Sequence, residues 1–319
     1  MKRTLGRSGI EASALGMGCW AIGGVAWRGD RAIGWSTVSD AESIRSVHRG
    51  LDLGVTLFDT ADVYGCGHSE EVLGEALQGR RDGVVIATKF GNSFDAEAKQ
   101  AGEGRGDPAY IRQACEDSLR RLRTDHIDIY QFHRGDWDPA ATPEVMETLE
   151  ELVDEGKIRW YGWSTDDPER ARLFAQGEHC TAIQQRFNVL EGSEETLAVC
   201  EEQNLASLNR TCLGMGLLTG KFTHDTTFPK DDVRHRWNLQ EGDQAEKLVA
   251  LKKVRDVLTE DGRSLAQGAL AWLWARSPAT VPIPGFKTVE QVEDNAAAME
   301  KGPLSDDQMR RIGDLLGSD

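Results

Sequence analysis

Four groups able to move a proton next to a reacting carbonyl arrive early and in order. Asp59 and Tyr64 lie in Phe58-Asp59-Thr60-Ala61-Asp62-Val63-Tyr64-Gly65, Lys89 ends Thr88-Lys89, and His133 closes Gln131-Phe132-His133. Each stretch follows a short β-branched run, which places these groups at the ends of successive strands. A phenol beside an ammonium can serve as proton donor, because the positive charge favours phenolate and pulls the phenol down from its ordinary pKa of ~10. Asp59 can hold Lys89 charged, and a neutral His133 can orient a bound carbonyl oxygen. Taken singly, Asp59 and Lys89 read as a structural ion pair and His133 as a core histidine. Taken together with Tyr64, they form a constellation for reducing carbonyls. Asp62, in the same motif, reads as a loop acid.

Such groups converge only if the strands that carry them do. Strands are expected at Ser13–Met17, Val55–Phe58, Val84–Ala87, Ile127–Phe132, Ile158–Trp163, Thr181–Gln184, Leu205–Leu208 and Thr280–Ile283. Amphipathic helical stretches separate them. Asp107-Pro108, Thr142-Pro143, Asp167-Pro168 and Ser264 are legible helix starts, and Gly156 is a C-terminal stop. Alternating strands and helices imply a parallel sheet, and eight of each is the count of a closed α/β (β/α)8 TIM barrel. A short N-terminal hairpin, Lys2–Leu5 with Ile10–Ser13, precedes the first strand. Two stretches break the alternation, 21–38 and roughly 222–242; both follow strands and should lie over the C-terminal mouth. No linker or repeat divides the chain, so residues 1–319 are expected to form a single domain.

The barrel reading orders the remaining polar groups. Ser164 follows strand five, Gln184 ends strand six, Arg210 follows strand seven and Gly285 follows strand eight. The segment Pro284-Gly285-Phe286-Lys287-Thr288 leads into a helix, with Thr288 and Gln291 spaced as a capping box. A helix N-terminus preceded by Gly and Lys suits a phosphate, since free N–H groups and the helix dipole favour an anion. Gly16-Met17-Gly18-Cys19-Trp20-Ala21 formally fits a dinucleotide fingerprint, but a Trp-rich loop follows it instead of the required helix. Trp20, Trp27, Trp35, Trp137 and Trp237 lie in loops above the mouth and can line a pocket.

Composition bounds the rest. The net charge of −16 argues against nucleic-acid and anionic-membrane partners. The six scattered cysteines give neither a zinc site nor a disulfide framework, and fit a reducing cytoplasm. No signal peptide or membrane span is legible. The remaining histidines read as surface or packing groups, and no metal site is expected.

The ordered motifs resemble the aldo-keto reductase family over nearly the whole chain. They run from Arg3-Thr4-Leu5-Gly6 through Leu53-Gly54-Val55-Thr56-Leu57-Phe58-Asp59-Thr60-Ala61-Asp62-Val63-Tyr64-Gly65, Ser69-Glu70-Glu71-Val72-Leu73-Gly74-Glu75-Ala76-Leu77 and Thr88-Lys89 to the Asp294-Asn295 helix. The resemblance implies a barrel whose hairpin plugs the N-terminal end. It also implies NADP-dependent hydride transfer to an aldehyde, ketone or sugar-like carbonyl, with Tyr64 as acid or base. Asp59, Lys89 and His133 complete the tetrad. Cofactor contacts are expected from Ser164, Gln184, Arg210, Leu213, Gly214, Gly220, Gly285, Phe286, Lys287, Gln291, Asp294 and Asn295, with NADPH preferred over NADH through Lys287. Trp20, Trp27 and Trp137 are the expected substrate-pocket residues.

Two departures from the family pattern stand out. Thr165 replaces an expected Asn, and Arg210 replaces a tyrosine that stacks on nicotinamide; its guanidinium either stacks there or turns away to an acidic loop. Two other functions stay open at this level. Channel β subunits share the motifs while acting as cofactor-binding regulatory partners, and a barrel lyase or isomerase could use Lys89 and Tyr64 without nicotinamide. Substrate, reaction direction and oligomeric state carry no recognisable code.

Overall fold

Runs rich in Val, Ile and Phe form eight parallel strands, because β-branched and aromatic side chains suit a pleated surface buried on both faces. In the computed structural model, which describes residues 1–36 and 38–317, these strands are Gly16–Gly18, Leu57–Asp59, Val85–Phe90, Ile127–Phe132, Ile158–Ser164, Cys180–Asn188, Ala206–Arg210 and Thr280–Pro282. Thr37, inside the expected 21–38 loop, lies outside the described residues. The strands pair in chain order, and the first meets the eighth at a Gly18–Gly285 bridge, with the Gly18 amide donating to the Pro284 carbonyl at 2.9 Å. Glycine is needed at this seam, since a Cβ on Gly18 would lie 2.7 Å from the Ile283 carbonyl oxygen. The expected (β/α)8 barrel is therefore the observed fold.

Helices Asp40–Asp52, His68–Ala76, Pro108–Leu122, Thr142–Asp154, Pro168–Phe174, Glu194–Glu202, Leu265–Arg276 and Val289–Lys301 alternate with the strands. Side chains of Asp107, Asp167 and Ser264 cap their helices as expected. Two further helices, Asp243–Leu258 and Asp306–Leu316, lie outside the alternation and pack on each other. At Thr288 the expected capping box is only half made. Its hydroxyl accepts from the Gln291 amide, but the Gln291 side chain accepts instead from the Lys287 amide at 2.8 Å.

The barrel interior has its own apolar core. Leu57, Val85, Ala87, Ile129, Ala182, Ala206, Leu208 and Val281 fill it, and Leu5 and Ala12 from the hairpin Lys2–Thr4 and Glu11–Ser13 plug it from below. These inward positions alternate along each strand. Following the same phase upward gives Asp59 above Leu57, Lys89 above Ala87, Gln131 above Ile129 and Gln184 above Ala182. A polar layer thus crowns an apolar one at the C-terminal mouth.

Three loops cover that mouth, one more than the sequence showed. Trp27–Arg28 and Arg31–Ala32 join a hairpin, Asn92–Asp95 with Gln100–Gly104, in a four-stranded sheet. The 92–104 stretch is polar and glycine-rich, so its strands rest on backbone pairing and not on hydrophobic alternation. The 21–38 and 222–242 loops join each other, the Val233 amide donating to the Gly34 carbonyl at 2.9 Å.

Candidate active site

The polar layer is built around a buried ion pair. Lys89 Nζ donates to Asp59 Oδ1 at 2.7 Å, to the Thr60 carbonyl at 2.5 Å and to the Tyr64 hydroxyl at 3.2 Å. The second carboxylate oxygen of Asp59 accepts from Gln131 at 3.1 Å and from Gln184 at 2.7 Å. Both ions are buried, and a buried carboxylate and ammonium are tolerable only when paired and hydrogen-bonded in this way. Gln131 was read only as part of its motif; its place in phase with Ile129 was the available signal. In this structure the Gln184 amide group serves Asp59.

Tyr64 is aimed by glycine contacts. Gly65 has φ +59°, and a Cβ there would sit 1.9 Å from the Gly23 carbonyl oxygen, so the loops after strands one and two touch through bare backbone. Ser69 ties the same region together, donating to the Cys19 carbonyl at 2.7 Å and sharing a 2.8 Å hydrogen bond with Thr60. The Tyr64 ring lies against Trp20, with centroids 5.9 Å apart, and edge-on to His133 at 5.8 Å.

The charge states follow from this packing. Burial pushes the Tyr64 phenol above its ordinary value, outweighing the downward pull of Lys89 and Arg210. The expected depression of the phenol is therefore reversed in the free protein, because the protein packed around the ring solvates a phenolate less well than water does. Burial also works against the Lys89 charge, but Asp59 and the Tyr64 oxygen together hold the ammonium above its ordinary value. Burial and the cations Lys89, Arg210, Arg134 and Arg28 drive the His133 imidazole well below its ordinary value, so the ring is neutral. Its buried Nδ1 has no protein partner. Asp62 is buried as well, with one oxygen unpartnered, and burial followed by the nearby Glu70 carboxylate lifts its carboxyl well above the usual range. It is the loop acid expected from its motif, in a turn, but a buried one.

A cavity of about 530 Å³ runs from Asp59 and Tyr64 to the N-terminus of helix Val289–Lys301. Of the expected cofactor residues, Gln184, Arg210, Leu213, Gly285, Phe286, Lys287, Gln291, Asp294 and Asn295 line it; Ser164, Gly214 and Gly220 do not. Its far end gathers Lys221, Arg234 and Lys287. Lys221 and Arg234 were not singled out in the sequence, since only folding brings residue 221 and the 222–242 loop against residue 287. The Arg234 guanidinium lies 4.4 Å from the Trp35 ring centroid and is paired with Asp232 at 2.8 Å. Lys287 donates to the Ser36 carbonyl at 2.6 Å, and burial lowers its ammonium against the opposing pull of Asp232. Arg210 takes the second of its two expected courses, meeting Asp166 at 2.5 Å while still bordering the cavity. Thr165 accepts from the Asp167 amide at 3.2 Å, a local turn contact.

The aromatics divide. Trp20 and Trp35 line the cavity. Trp27 sits in the sheet over the mouth, Trp137 packs edge-on against Phe132 at 5.4 Å, and Trp237 packs against Phe228. Among the described residues no cluster of His, Cys, Asp and Glu could hold a metal ion, and no helix is long and apolar enough to cross a membrane.

Comparison with known proteins agrees with this arrangement. The chain is 35% identical over 294 residues to the aldo-keto reductase YhdN of Bacillus subtilis, covering 90% of this chain and 85% of that protein. Its fold is similar to the glycerol dehydrogenase AKR11B4 of Gluconobacter oxydans, with a TM-score of 0.84, 32% identity and coverage of 99% and 95% of the two chains. It is also similar to an aldo-keto reductase from Klebsiella pneumoniae solved in complex with NADPH, with a TM-score of 0.73, 27% identity and coverage of 100% and 96%. The family model for the aldo/keto reductases matches residues 14–316, and with the barrel, the relatives and the Asp59–Tyr64–Lys89–His133 cluster in agreement, the chain belongs to the aldo/keto reductase family.

Proposed function

We propose that this protein catalyses NADP(H)-dependent interconversion of a small carbonyl compound and its alcohol, with Tyr64 giving or taking the proton. The observation that carries the reading is the continuity of one cavity from the Tyr64 hydroxyl to the cations at a helix N-terminus. The residues present suit the cofactor. Lys221, Arg234 and Lys287, beside the opening of helix Val289–Lys301, offer a phosphate-binding end. Trp20, Tyr64 and Gln184 border the other end, where a nicotinamide would lie. The cofactor, when bound, supplies or accepts the hydride.

The protein's own part is positioning and proton transfer. His133, neutral and edge-on to the Tyr64 ring, donates a hydrogen bond to the carbonyl oxygen. Tyr64, protonated at neutral pH, gives its proton to that oxygen as the carbonyl carbon is reduced. The proton leaves an anion beside the Lys89 ammonium, which is already fixed by Asp59 and Thr60, so little reorganisation is needed. Asp59 is itself oriented by Gln131 and Gln184. Arg210 stands at the border of the nicotinamide end. Held by Asp166, it presents a partly neutralised charge there. The regulatory-subunit reading is not favoured, since the relatives named are reductases and a dehydrogenase.

Fluorescence titration should show saturable NADPH binding, and an aldehyde panel should show turnover well above background. Tyr64→Phe keeps the ring and removes the donor. It should bind NADPH like the parent and lower turnover by about 10²-fold or more, the usual scale of general-acid catalysis. Parental turnover in that variant removes Tyr64 from the mechanism. Tight NADPH binding with no turnover of any aldehyde in the parent returns the regulatory reading.

A further inference from the structure

Beside His133, next to the cavity that Tyr64 lines and not among its lining residues, stand two guanidinium groups that the chemistry above does not use. Asn92 donates from its side-chain amide to the His133 carbonyl at 3.4 Å. Its side-chain oxygen accepts from two guanidinium groups, Arg28 at 2.9 Å and Arg134 at 3.2 Å. Two like charges share one neutral oxygen, an arrangement that repels itself unless a negative group is near. Arg134 has one carboxylate partner, Asp136, whose side chain is 76% exposed. Among the described residues Arg28 has no carboxylate partner at all. Arg134 is nevertheless built in: its Nε is buried without a partner, and a Cβ on Gly104 would sit 2.6 Å from its guanidinium carbon. The chain has 53 acidic and 37 basic residues, so leaving this pair so poorly neutralised runs against the composition.

We propose that the substrate bears an anionic group, a carboxylate or phosphate a few carbons from the carbonyl, and that Arg28 and Arg134 bind it above His133. The inference rests on the reductase reading and narrows its substrate class. Asn92 gives the site its register: it holds both guanidinium groups and the His133 backbone, so the anion and the reacting carbonyl are positioned from one side chain. A neutral loop prop would need neither charge. Of the cations around His133, Arg210 is tied to Asp166 and Arg134 to the exposed Asp136, which leaves Arg28, among the described residues, as the one without a carboxylate.

The test uses the full-length protein with NADPH saturating. Succinic semialdehyde and glyceraldehyde phosphate supply the carboxylate and phosphate arms, and butanal and glyceraldehyde supply neutral ones. At least one anionic aldehyde should exceed the neutral ones in kcat/KM by about tenfold or more, the lower end for hydrogen bonds to charged groups. That excess should shrink by a similar factor in Arg28→Gln and in Arg134→Gln, mainly through KM, and which arm leads identifies the anion. Equal turnover of the two classes, or variants that lower both alike, overturns the proposal. If Arg134→Gln fails to fold, the exposed Arg28 decides alone. If no aldehyde reacts, the reductase reading fails separately, and calorimetry with succinate and glycerol phosphate on the NADP⁺-loaded protein decides the anion site. Saturable binding lost in Arg28→Gln supports it; no binding of either overturns it.

Discussion

At the scale of single residues, the site depends on keeping one acid protonated and one imidazole neutral. Tyr64 is raised by burial, so in the free protein it loses its proton only above its ordinary value of ~10. His133 is depressed, so it gains charge only well below its ordinary ~6.5. Neither group titrates in the window between. Carbonyl reduction at saturating NADPH should therefore be flat from about pH 7 to about pH 9, with any loss confined to the alkaline side of ~10 and the acid side of ~6.5. A pH–rate series decides this. A falling limb centred near pH 8 would mean that the loaded site lowers the phenol after all. The grouping of these four residues was legible in the sequence because Asp59, Lys89 and His133 each follow a strand run and Tyr64 follows Asp59 in the same loop. The direction of the Tyr64 shift was not, since adjacency to Lys89 can be read from order whereas desolvation depends on how Trp20 and His133 close around the ring. Gln131 was legible in principle, by counting two positions on from Ile129.

At the scale of elements, the loops after strands one and two set the Tyr64 hydroxyl by backbone contact at Gly23 and Gly65. Gly65→Ala would meet two penalties, a positive φ costing about 1–2 kcal/mol and a collision with the Gly23 carbonyl. Gly54, at φ +81° with open space around it, meets only the first. Gly65→Ala should thus lower stability in urea by clearly more than Gly54→Ala and reduce turnover as well. Equal losses in the two variants would show that the contact does not position Tyr64. The helix Val289–Lys301 supports a second expectation. NADPH should bind more tightly than NADH, and Lys287→Glu should narrow the gap by about tenfold or more, since a charged hydrogen bond is worth ~1.5–3 kcal/mol. Lys221 and Arg234 share that end, so the preference should narrow without vanishing. Equal binding of the two cofactors by the parent protein removes this end from phosphate recognition. The helix and its glycine were readable from local spacing. The cations that join it were not, because their approach is non-local, and neither was the 92–104 hairpin over the mouth, whose strands carry no hydrophobic period.

At the scale of the whole molecule, a chain of net charge −16 must admit an anionic cofactor. The cavity answers locally, with Lys221, Arg234 and Lys287 at one end and Arg210 at the border of the other, two of them already paired with Asp232 and Asp166. Distance separates the two fields. Far from the surface the net negative charge acts on NADPH, and at short range these four cations do. Salt acts on them unequally, because the screening length falls from about 30 Å at 0.01 M to about 10 Å at 0.1 M. Raising ionic strength across that range should remove the long-range repulsion first and quicken NADPH association, while weakening the short-range contacts and quickening dissociation. Stopped-flow quenching of Trp20 and Trp35, which line the cavity, reads both rates. An association rate that falls steadily with salt would mean that the positive mouth outweighs the net charge even at long range, as in electrostatically steered binding. It would also imply that the acidic residues lie mainly on faces turned away from the mouth, so that net charge is a poor guide to what this surface attracts.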